Sequence, residues 1–538
     1  MKSLPDKDFI DELLKTAIER GIKDSRTFYI LCRKVAAKTK VQIPTKQVII
    51  KRYRELIASG DIERDADIEQ ILRVRQVRSL SGLVVISVLT KPYACPGNCL
   101  YCPSQPGNPK SYLSDEPAVM RAIACDYDPY RQVIYRLKAL ENNGHEISKV
   151  SMRIVGGTWS FYPKRYQTSF VKALYRACNN YRTKGIASSL VDLQIANETA
   201  EVKMIELSVE TRQDYINPAE IKRLRQYGVT KVELGVQSIY DDVLKFNRRG
   251  HDVARTVQAT KLLKDSGFKV SYQVMLNLPG STIKRDKAMI QELFNNPDFK
   301  PDHLKIYPLA ILKEAPLYPL YLEGKIKAYS KAELMGLLKW IKINTIPYWC
   351  RIERVIRDIP SQDVLEGGAK VSNMRQLIMD DWDKEFGRSQ CKCIRCREAR
   401  ERSSEDSPAF FRDDYDASDG KEIFLSYESK DRQILYAMLR MRIPERQVSA
   451  RHFNTELRNA ALIREMHTFG RQVKVDAHDK LASQHKGLGT QLLAKAQEIA
   501  KDEFNYNIAA AIAGVGVRNF FRKNGFELAK TYMLKKLK

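Results

Sequence analysis

Short apolar runs recur along the first two-thirds of the chain, and between them the apolar positions switch to a spacing of three or four residues. The runs "GLVVISVL" (82–89), "KVSMRIV" (149–155), "MIELSVET" (204–211), "KVELGVQ" (231–237), "KVSYQVML" (269–276) and "HLKIYPL" (303–309) are rich in β-branched residues and read as buried strands. Helical spacing marks "PAEIKRLRQYG" (218–228) and "VARTVQATKLLKDSG" (253–267), each stopped by glycine. Strand, helix, strand repeated in this way predicts parallel strands with crossover helices. Six such units predict an incomplete α/β barrel. Gly156-Gly157-Thr158 follows the second strand, Glu210-Thr211-Arg212 ends the third, Gln237-Ser238 ends the fourth and "NLPGST" (277–282) follows the fifth. Parallel barrels build their sites from the loops at these carboxyl ends.

The last part of the chain carries a different pattern. "ALIREMHTF" (461–469) reads as a strand. In "LASQHKGLGTQLLAKAQEIAKDEF" (481–504), Gln484, Gly487 and Gly489 open a helix whose apolar face is Leu488, Leu492, Leu493, Ala496 and Ile499. Glycines at a helix start let backbone N–H groups approach a pyrophosphate, whose charge the helix N-terminus favours. The spacing differs from the Gly-x-Gly-x-x-Gly of dinucleotide folds and looks like the coenzyme A loop of GCN5-type acetyltransferases, with an ordinary glycine-capped helix as the alternative. "FFRKNGFELAKTYMLKKL" (520–537) then reads as helix, turn and strand, which predicts a mixed α/β domain. Near the other end, "PTKQVIIKRYRELIASG" (44–60) is a helix with Ile49, Tyr53 and Leu56 on its apolar face and Lys46, Lys51, Arg52 and Arg54 outward. "RVRQVRS" (73–79) adds further arginines that phosphates could meet.

Composition sharpens this outline. A chain of 538 residues, 43% hydrophobic, is too long for one core and predicts two to four domains. No apolar run reaches membrane length, and "MKSLPDKDFIDELLK" lacks a signal peptide's apolar region, so a soluble, cytoplasmic protein is expected. The net charge of +26 points to a polyanion, with nucleic acid ahead of an anionic membrane. Ten cysteines in such a chain are no disulfide scaffold, and clustered cysteines in a reducing compartment more often hold metal.

Two cysteine clusters stand out. "KPYACPGNCLYCPSQ" (91–105) places Cys95, Cys99 and Cys102 at Cys-x3-Cys-x2-Cys spacing with no fourth Cys or His nearby. Three thiolates can hold three irons of a four-iron–four-sulfur cluster and leave the fourth open, and the loop resembles that of radical S-adenosylmethionine (SAM) enzymes. A zinc site completed by a distant ligand is the alternative. "CKCIRCRE" sets Cys391, Cys393 and Cys396 at Cys-x-Cys-x2-Cys spacing, a zinc candidate whose fourth ligand could be Cys350, a carboxylate or water. After it, 398–420 is polar and charged and reads as a connector.

"CPGNCLYCP", "GGT", "ETRQDY", "LGVQS", "RRGH", "NLPGS" and "LKIYP", in that order, resemble the catalytic subunit of Elongator from about residue 75 onward. The resemblance implies a basic helical tRNA-binding region (1–80), a partial (β/α)6 radical SAM barrel (81–345), a zinc-binding linker (346–400) and a GCN5-type acetyltransferase domain (401–538). It implies placement of a carboxymethyl group on carbon-5 of the wobble uridine, with SAM, acetyl-CoA, a four-iron–four-sulfur cluster and zinc. The partners implied are the tRNA anticodon loop, a second copy or other Elongator subunits, and no membrane. Cys95, Cys99 and Cys102 would ligate the cluster, and Gly156, Gly157, Glu210, Arg212 and Gln237 would line the SAM pocket. Lys149, Met466, His467, Thr468, Phe469, Gln484, Gly487, Gly489, Thr490, Gln491 and Phe521 would serve acetyl-CoA. His467 is either a general base or a packed histidine. Phe520 and Phe521 stand where the family has two tyrosines, so that Tyr532 would have to supply a hydroxyl; Gln273, Leu276 and Trp159 also depart from the family pattern. Two other classes fit less of the sequence: a protein lysine acetyltransferase with a structural cluster, and an RNA-binding scaffold with degenerate sites.

Overall fold

The computed structural model describes residues 7–74, 82–183, 185–387, 389–400, 402, 407–470 and 487–537. Helices Lys7–Glu19, Ser25–Thr39, Lys46–Ser59 and Ala66–Leu72 close around a core of their own, with Phe9, Leu13, Phe28, Ile49, Tyr53 and Ile71. Asp24 and Asp65 cap the second and fourth helices by accepting from backbone N–H groups of the first turn. The outward basic face expected of the third helix is only partly free. Lys46 donates to the Ile71 carbonyl, and Arg52 makes two 2.7 Å bonds to Asp11 and one of 3.1 Å to Glu55. The helix packs against its neighbours on a wider arc than its apolar spacing implies, which leaves Lys51 and Arg54 exposed.

The first large sheet has seven parallel strands in sequence order: β1 (Val84–Leu89), β2 (Lys149–Val155), β3 (Lys203–Thr211), β4 (Lys231–Gln237), β5 (Lys269–Leu276), β6 (His303–Pro308) and β7 (Arg351–Arg354). The sheet does not close, because β1 and β7 pair only with β2 and β6. Six strands match the apolar runs. The seventh, Arg-Ile-Glu-Arg, lies in the expected zinc-binding linker and corrects the count of six. It has one apolar residue and so gives no hydrophobic run; pairing with β6 makes it a strand. Within β2 to β6, one set of alternate residues, such as Val150, Met152, Val232, Leu234, Val270 and Ile306, packs in the core, and the other carries charged or polar side chains such as Arg153, Glu206, Lys231 and His303 that line the lumen.

A second, mixed sheet runs in the order β13-β14-β12-β11-β10-β9-β8. Its strands are β8 (Ala409–Ala417), β9 (Gly420–Glu428), β10 (Leu435–Ile443), β11 (Ala461–Thr468), β12 (Ile508–Ala511), β13 (Glu527–Ala529) and β14 (Tyr532–Lys536). The connector expected over 398–420 is therefore wrong in its second half. "AFFRDDYDA" has Phe410, Phe411 and Tyr415 as its only large apolar residues among four charges, and pairing with β9 makes it an edge strand. It turns into β9 through Ser418 and Asp419, both at positive φ (50° and 57°), as a two-residue hairpin loop requires.

The two sheets pack through buried charge. Arg464 of β11 binds both carboxylate oxygens of Asp302 (3.1 and 2.5 Å) and Glu422 at 2.6 Å, while Arg442 binds Asp265 at 2.6 Å and Glu422 at 3.1 Å. Gly514 approaches β3 so closely that a Cβ there would lie 1.9 Å from the Ile205 carbonyl oxygen. Among the described residues, no helix is long and apolar enough to cross a membrane.

Candidate active site: three cavities along the half-barrel

At the carboxyl ends of the strands, a cavity of about 220 Å3 is lined by Cys95, Cys99, Cys102, Gly157, Glu210, Arg212 and Gln237. The loop between β1 and its following helix carries the cysteines, and backbone bonds from Leu100 to Asn247 (3.2 Å) and from Leu317 to Leu100 (2.9 Å) hold it over the barrel. The buried Arg249 guanidinium donates to the Cys99 sulfur at 3.6 Å. Burial pushes the Cys102 thiol up to about 12, a cost that metal ligation removes. The three sulfurs do not share the 4.8 Å mutual spacing found at the other triad. Wider spacing suits the corners of an iron–sulfur cube better than one ion, so the donor set fits the cluster.

The remaining walls fit a polar, zwitterionic ligand. Gly156 has φ +128°, and a Cβ there would meet the Thr90 hydroxyl at 2.0 Å, so only glycine makes this turn. Gln237 takes a left-handed φ of 68° where β4 slips register against β5. Its Oε1 and the Nη1 of Arg212 are buried without a partner among the described residues, and both residues line this cavity. Glu210 accepts from Tyr112 at 3.0 Å and from Gln273 at 3.1 Å, so Gln273, one of the departures from the family pattern, belongs to the site. Trp159, another, packs in the core behind it at 2% exposure.

A second cavity, of about 640 Å3, opens at the opposite end of the barrel, between it and the second sheet. Strands β11 and β12 pair in parallel only from Ala461 to Ile463 and then separate. The gap is lined by Met466, His467, Thr468, Gly487, Gly489, Thr490, Phe520 and Phe521. The helix Leu488–Glu498 begins at the rim, with Gly487 as its left-handed cap. Lys149 also lines this cavity from the first residue of β2, and burial pulls its amine below the ordinary lysine value. Gln484 lies outside the described residues. Gln491 is exposed and does not line the cavity, and Phe469 stacks on His467 at 4.2 Å but faces the lumen instead. Tyr532 does not supply the hydroxyl expected of it. It is 2% exposed and packed against the barrel, where it donates to the Ser266 carbonyl at 2.9 Å and stacks against Arg225. Among the described residues this cavity has no tyrosine.

Lys149 and Gly156 stand seven positions apart along β2, roughly 20 Å at strand rise, and the lumen spans that distance. Its cavity of about 870 Å3 shares Ser87, Arg153 and Arg354 with the cysteine cavity, and Leu83, Glu465 and His467 with the lower one. The lumen wall is a ladder of charge. Lys231 binds Glu353 at 2.8 Å, Arg153 binds Glu233 at 3.1 Å, and Lys305 pairs closely with Glu233. His303 Nδ1 lies 2.9 Å from Glu353, and Ser151 donates to Glu206 at 2.6 Å. Burial alone would raise the carboxyls of Glu206 and Glu353, but the neighbouring lysines and His303 hold both below the ordinary range. Sequence reasoning missed these residues. Their signal was present as charges at every second position within strands read for their apolar content.

Beside the open edge, Cys391, Cys393 and Cys396 bring their sulfurs within 4.8 Å of one another, the spacing of ligands to one tetrahedral ion. Hydrogen bonds from Cys391 and Cys393 hold the Cys396 thiol well below its ordinary value, and the Lys342 ammonium lies 3.5 Å from it. Cys350 is not a member of the group. It accepts from Ile394 through its carbonyl at 3.0 Å, which braces the turn.

Comparison with known proteins agrees with this architecture. The model of the Radical SAM superfamily matches residues 90–293, and that of the Radical_SAM C-terminal domain matches 301–383. The chain is 40% identical over 482 residues to the tRNA uridine(34) acetyltransferase of Methanocaldococcus jannaschii, covering 87% of each. It is 36% identical over 484 residues to Elongator complex protein 3 of Homo sapiens, covering 87% of this chain and 86% of that one. The solved structure of Methanocaldococcus infernus Elp3 with an N-terminal deletion superposes with a TM-score of 0.73 at 36% identity, covering 85% of this chain and all of the other.

Proposed function

The chain belongs to the family of the tRNA uridine(34) acetyltransferases and Elongator complex protein 3, and from that membership we propose that it places a carboxymethyl group on carbon-5 of the wobble uridine of tRNA, consuming SAM and acetyl-CoA. The observation that carries this reading is the lumen, whose cavity shares walls with both the cysteine-lined and the glycine-lined cavities. An uncharged base extruded from the anticodon loop enters a pocket of this kind.

Cys95, Cys99 and Cys102 would hold the cluster, which when bound supplies the electron that cleaves SAM and generates a carbon radical. Gly156, Gly157, Glu210, Arg212 and Gln237 would orient SAM over it, with Gln237 and Arg212 offering the polar atoms that lack partners. Met466, Thr468, Gly487 and Gly489 would seat the coenzyme where β11 and β12 part. Lys149 and His467 would face the acyl end, Lys149 by polarising the thioester and His467 by holding a proton as the coenzyme leaves. The Cys391–Cys393–Cys396 turn would bind one zinc and order the lumen's edge. Phe520 and Phe521 would give this end of the pocket aromatic walls without the hydroxyls that tyrosines would bring.

Mass spectrometry of wobble nucleosides, from tRNA incubated anaerobically with the reconstituted protein, SAM and acetyl-CoA, tests the reading. Carboxymethyluridine formed only with both cosubstrates supports it. Rapid acetyl transfer to a basic peptide without tRNA, unaffected by Cys99→Ala, would replace it with protein acetylation.

A further inference from the structure

Charge along the lumen cavity is unbalanced: nine arginines and lysines line it against five carboxylates. Five of the nine have ion pairs, Arg400 among them at 3.8 Å from Glu398. Lys231 and Arg153 pair inside the ladder, Arg351 pairs with Glu398, and Arg354 pairs with Asp358 at 2.8 Å. Arg375 and Arg395 differ. Arg375 donates to the Ile352 carbonyl at 2.9 Å and Arg395 to the Glu353 carbonyl at 3.0 Å, and neither forms an ion pair with a carboxylate among the described residues. A carbonyl orients a guanidinium without cancelling its charge. Successive carbonyls of β7 therefore hold two positive groups near each other, half-buried, at the open edge of the barrel.

Two like charges fixed together repel, and an anion between them removes the repulsion. Arg375 comes from the helix Met374–Phe386, and Arg395 lies between Cys393 and Cys396. We infer that Arg375 and Arg395 form a phosphate subsite at the mouth of the lumen, which binds a backbone phosphodiester of the RNA whose base enters the half-barrel. The inference rests on the proposed function for its choice of RNA. A base carries no charge and passes inward, while its phosphate stays at the rim where arginine forks match its oxygens. A bound coenzyme also carries phosphates, so the test separates the two sources.

The probe is an anticodon stem-loop RNA, whose binding to the full-length protein is followed by fluorescence anisotropy from low to moderate salt. Arg375→Gln/Arg395→Gln is expected to weaken binding about tenfold and to flatten the slope of log affinity against log salt by roughly 0.7–0.9 per lost contact. Coenzyme A affinity should stay unchanged. Arg375→Lys/Arg395→Lys keeps the charge and should keep the slope. If the lysine pair loses as much as the glutamine pair, the effect comes from damage to β7 and the subsite is overturned. Loss of coenzyme A affinity with the RNA slope intact overturns it in favour of a coenzyme phosphate. Carboxymethyluridine formation by the wild-type protein, together with an unchanged slope in the glutamine pair, overturns the subsite and leaves the reaction standing. A flattened slope in a protein that makes no modified uridine does the reverse.

Discussion

Charge is buried both between the two sheets and inside the half-barrel, but Arg442, Asp265, Asp302 and Glu422 of the first set line none of the three cavities, whereas the second set surrounds one. Between the sheets, Arg464 grips both carboxylate oxygens of Asp302 and also binds Glu422, while Arg442 binds Asp265 and Glu422 and Arg440 binds Glu465. In the lumen, Glu206, Lys231, Glu353 and His303 pair across strands and also line a cavity. Solid charge of the first kind joins elements far apart in sequence. Charge around a void keeps solvent and polar ligands within reach of fixed dipoles, as catalysis by preorganised electrostatics requires. The lumen should therefore answer to mutation in activity and the interface in stability.

The sharpest break would come at the lumen's upper end. Cys99→Ala should abolish SAM cleavage and modified uridine together while leaving the thermal midpoint nearly in place; iron content and 5′-deoxyadenosine production check it. Gly489→Arg should stop product formation from the other end. The added Cβ fits, with Thr468 and Met466 no nearer than 3.6 Å, so the long side chain runs into the coenzyme cavity and coenzyme A binding is lost while SAM cleavage continues.

Stability should move next. Arg464→Met removes the closest partner of both Asp302 and Glu422, leaving only the longer pairs to Lys264, Arg440 and Arg442, and should cost about 3 kcal/mol in denaturant unfolding. Glu206→Gln should cost under about 1 kcal/mol, because cavity water can solvate Lys269 and Lys231 once the carboxylate is gone. Equal losses at the two sites would erase the distinction between them.

Acid should weaken the interface in one direction. Burial alone would raise Asp302 and Glu422, but Arg464 and Lys264 hold both below the ordinary range. Depressed folded values give stabilisation that is complete above the unfolded carboxyl range near pH 4 and is lost as pH falls below it. Asp302→Asn should flatten the stability profile in that acid window, as urea midpoints at a series of pH values would show. The smallest effect belongs to the N-terminal helices. Lys51→Ala/Arg54→Ala should shallow the salt dependence of RNA binding slightly, and Arg52→Ala should act on stability instead, since its guanidinium is engaged by Asp11 and Glu55. RNA affinity that depends on Arg52 as strongly as on Lys51 would contradict that assignment.

Local pattern determined much of this protein. Six strands, the cysteine loop above β1, the glycines at the strand ends and the helix after Gly487 all follow from residue types within a few positions of one another, where propensity and burial act together. What tertiary structure decided lies where that information is absent. β7 and β8 carry too few apolar residues to announce themselves and become strands by pairing with a neighbour. Tyr532 sits in an apolar stretch that reads the same whichever face of the sheet it takes, and packing against Arg225 and Ser266 settled the face. The charged ladder needs Lys231 to meet Glu353, 122 residues away, and the interface needs Arg464 to meet Asp302, 162 residues away. An alternating strand shows that its charges share a side, but the partner across the void is set by how the sheet curls, and that depends on every strand at once.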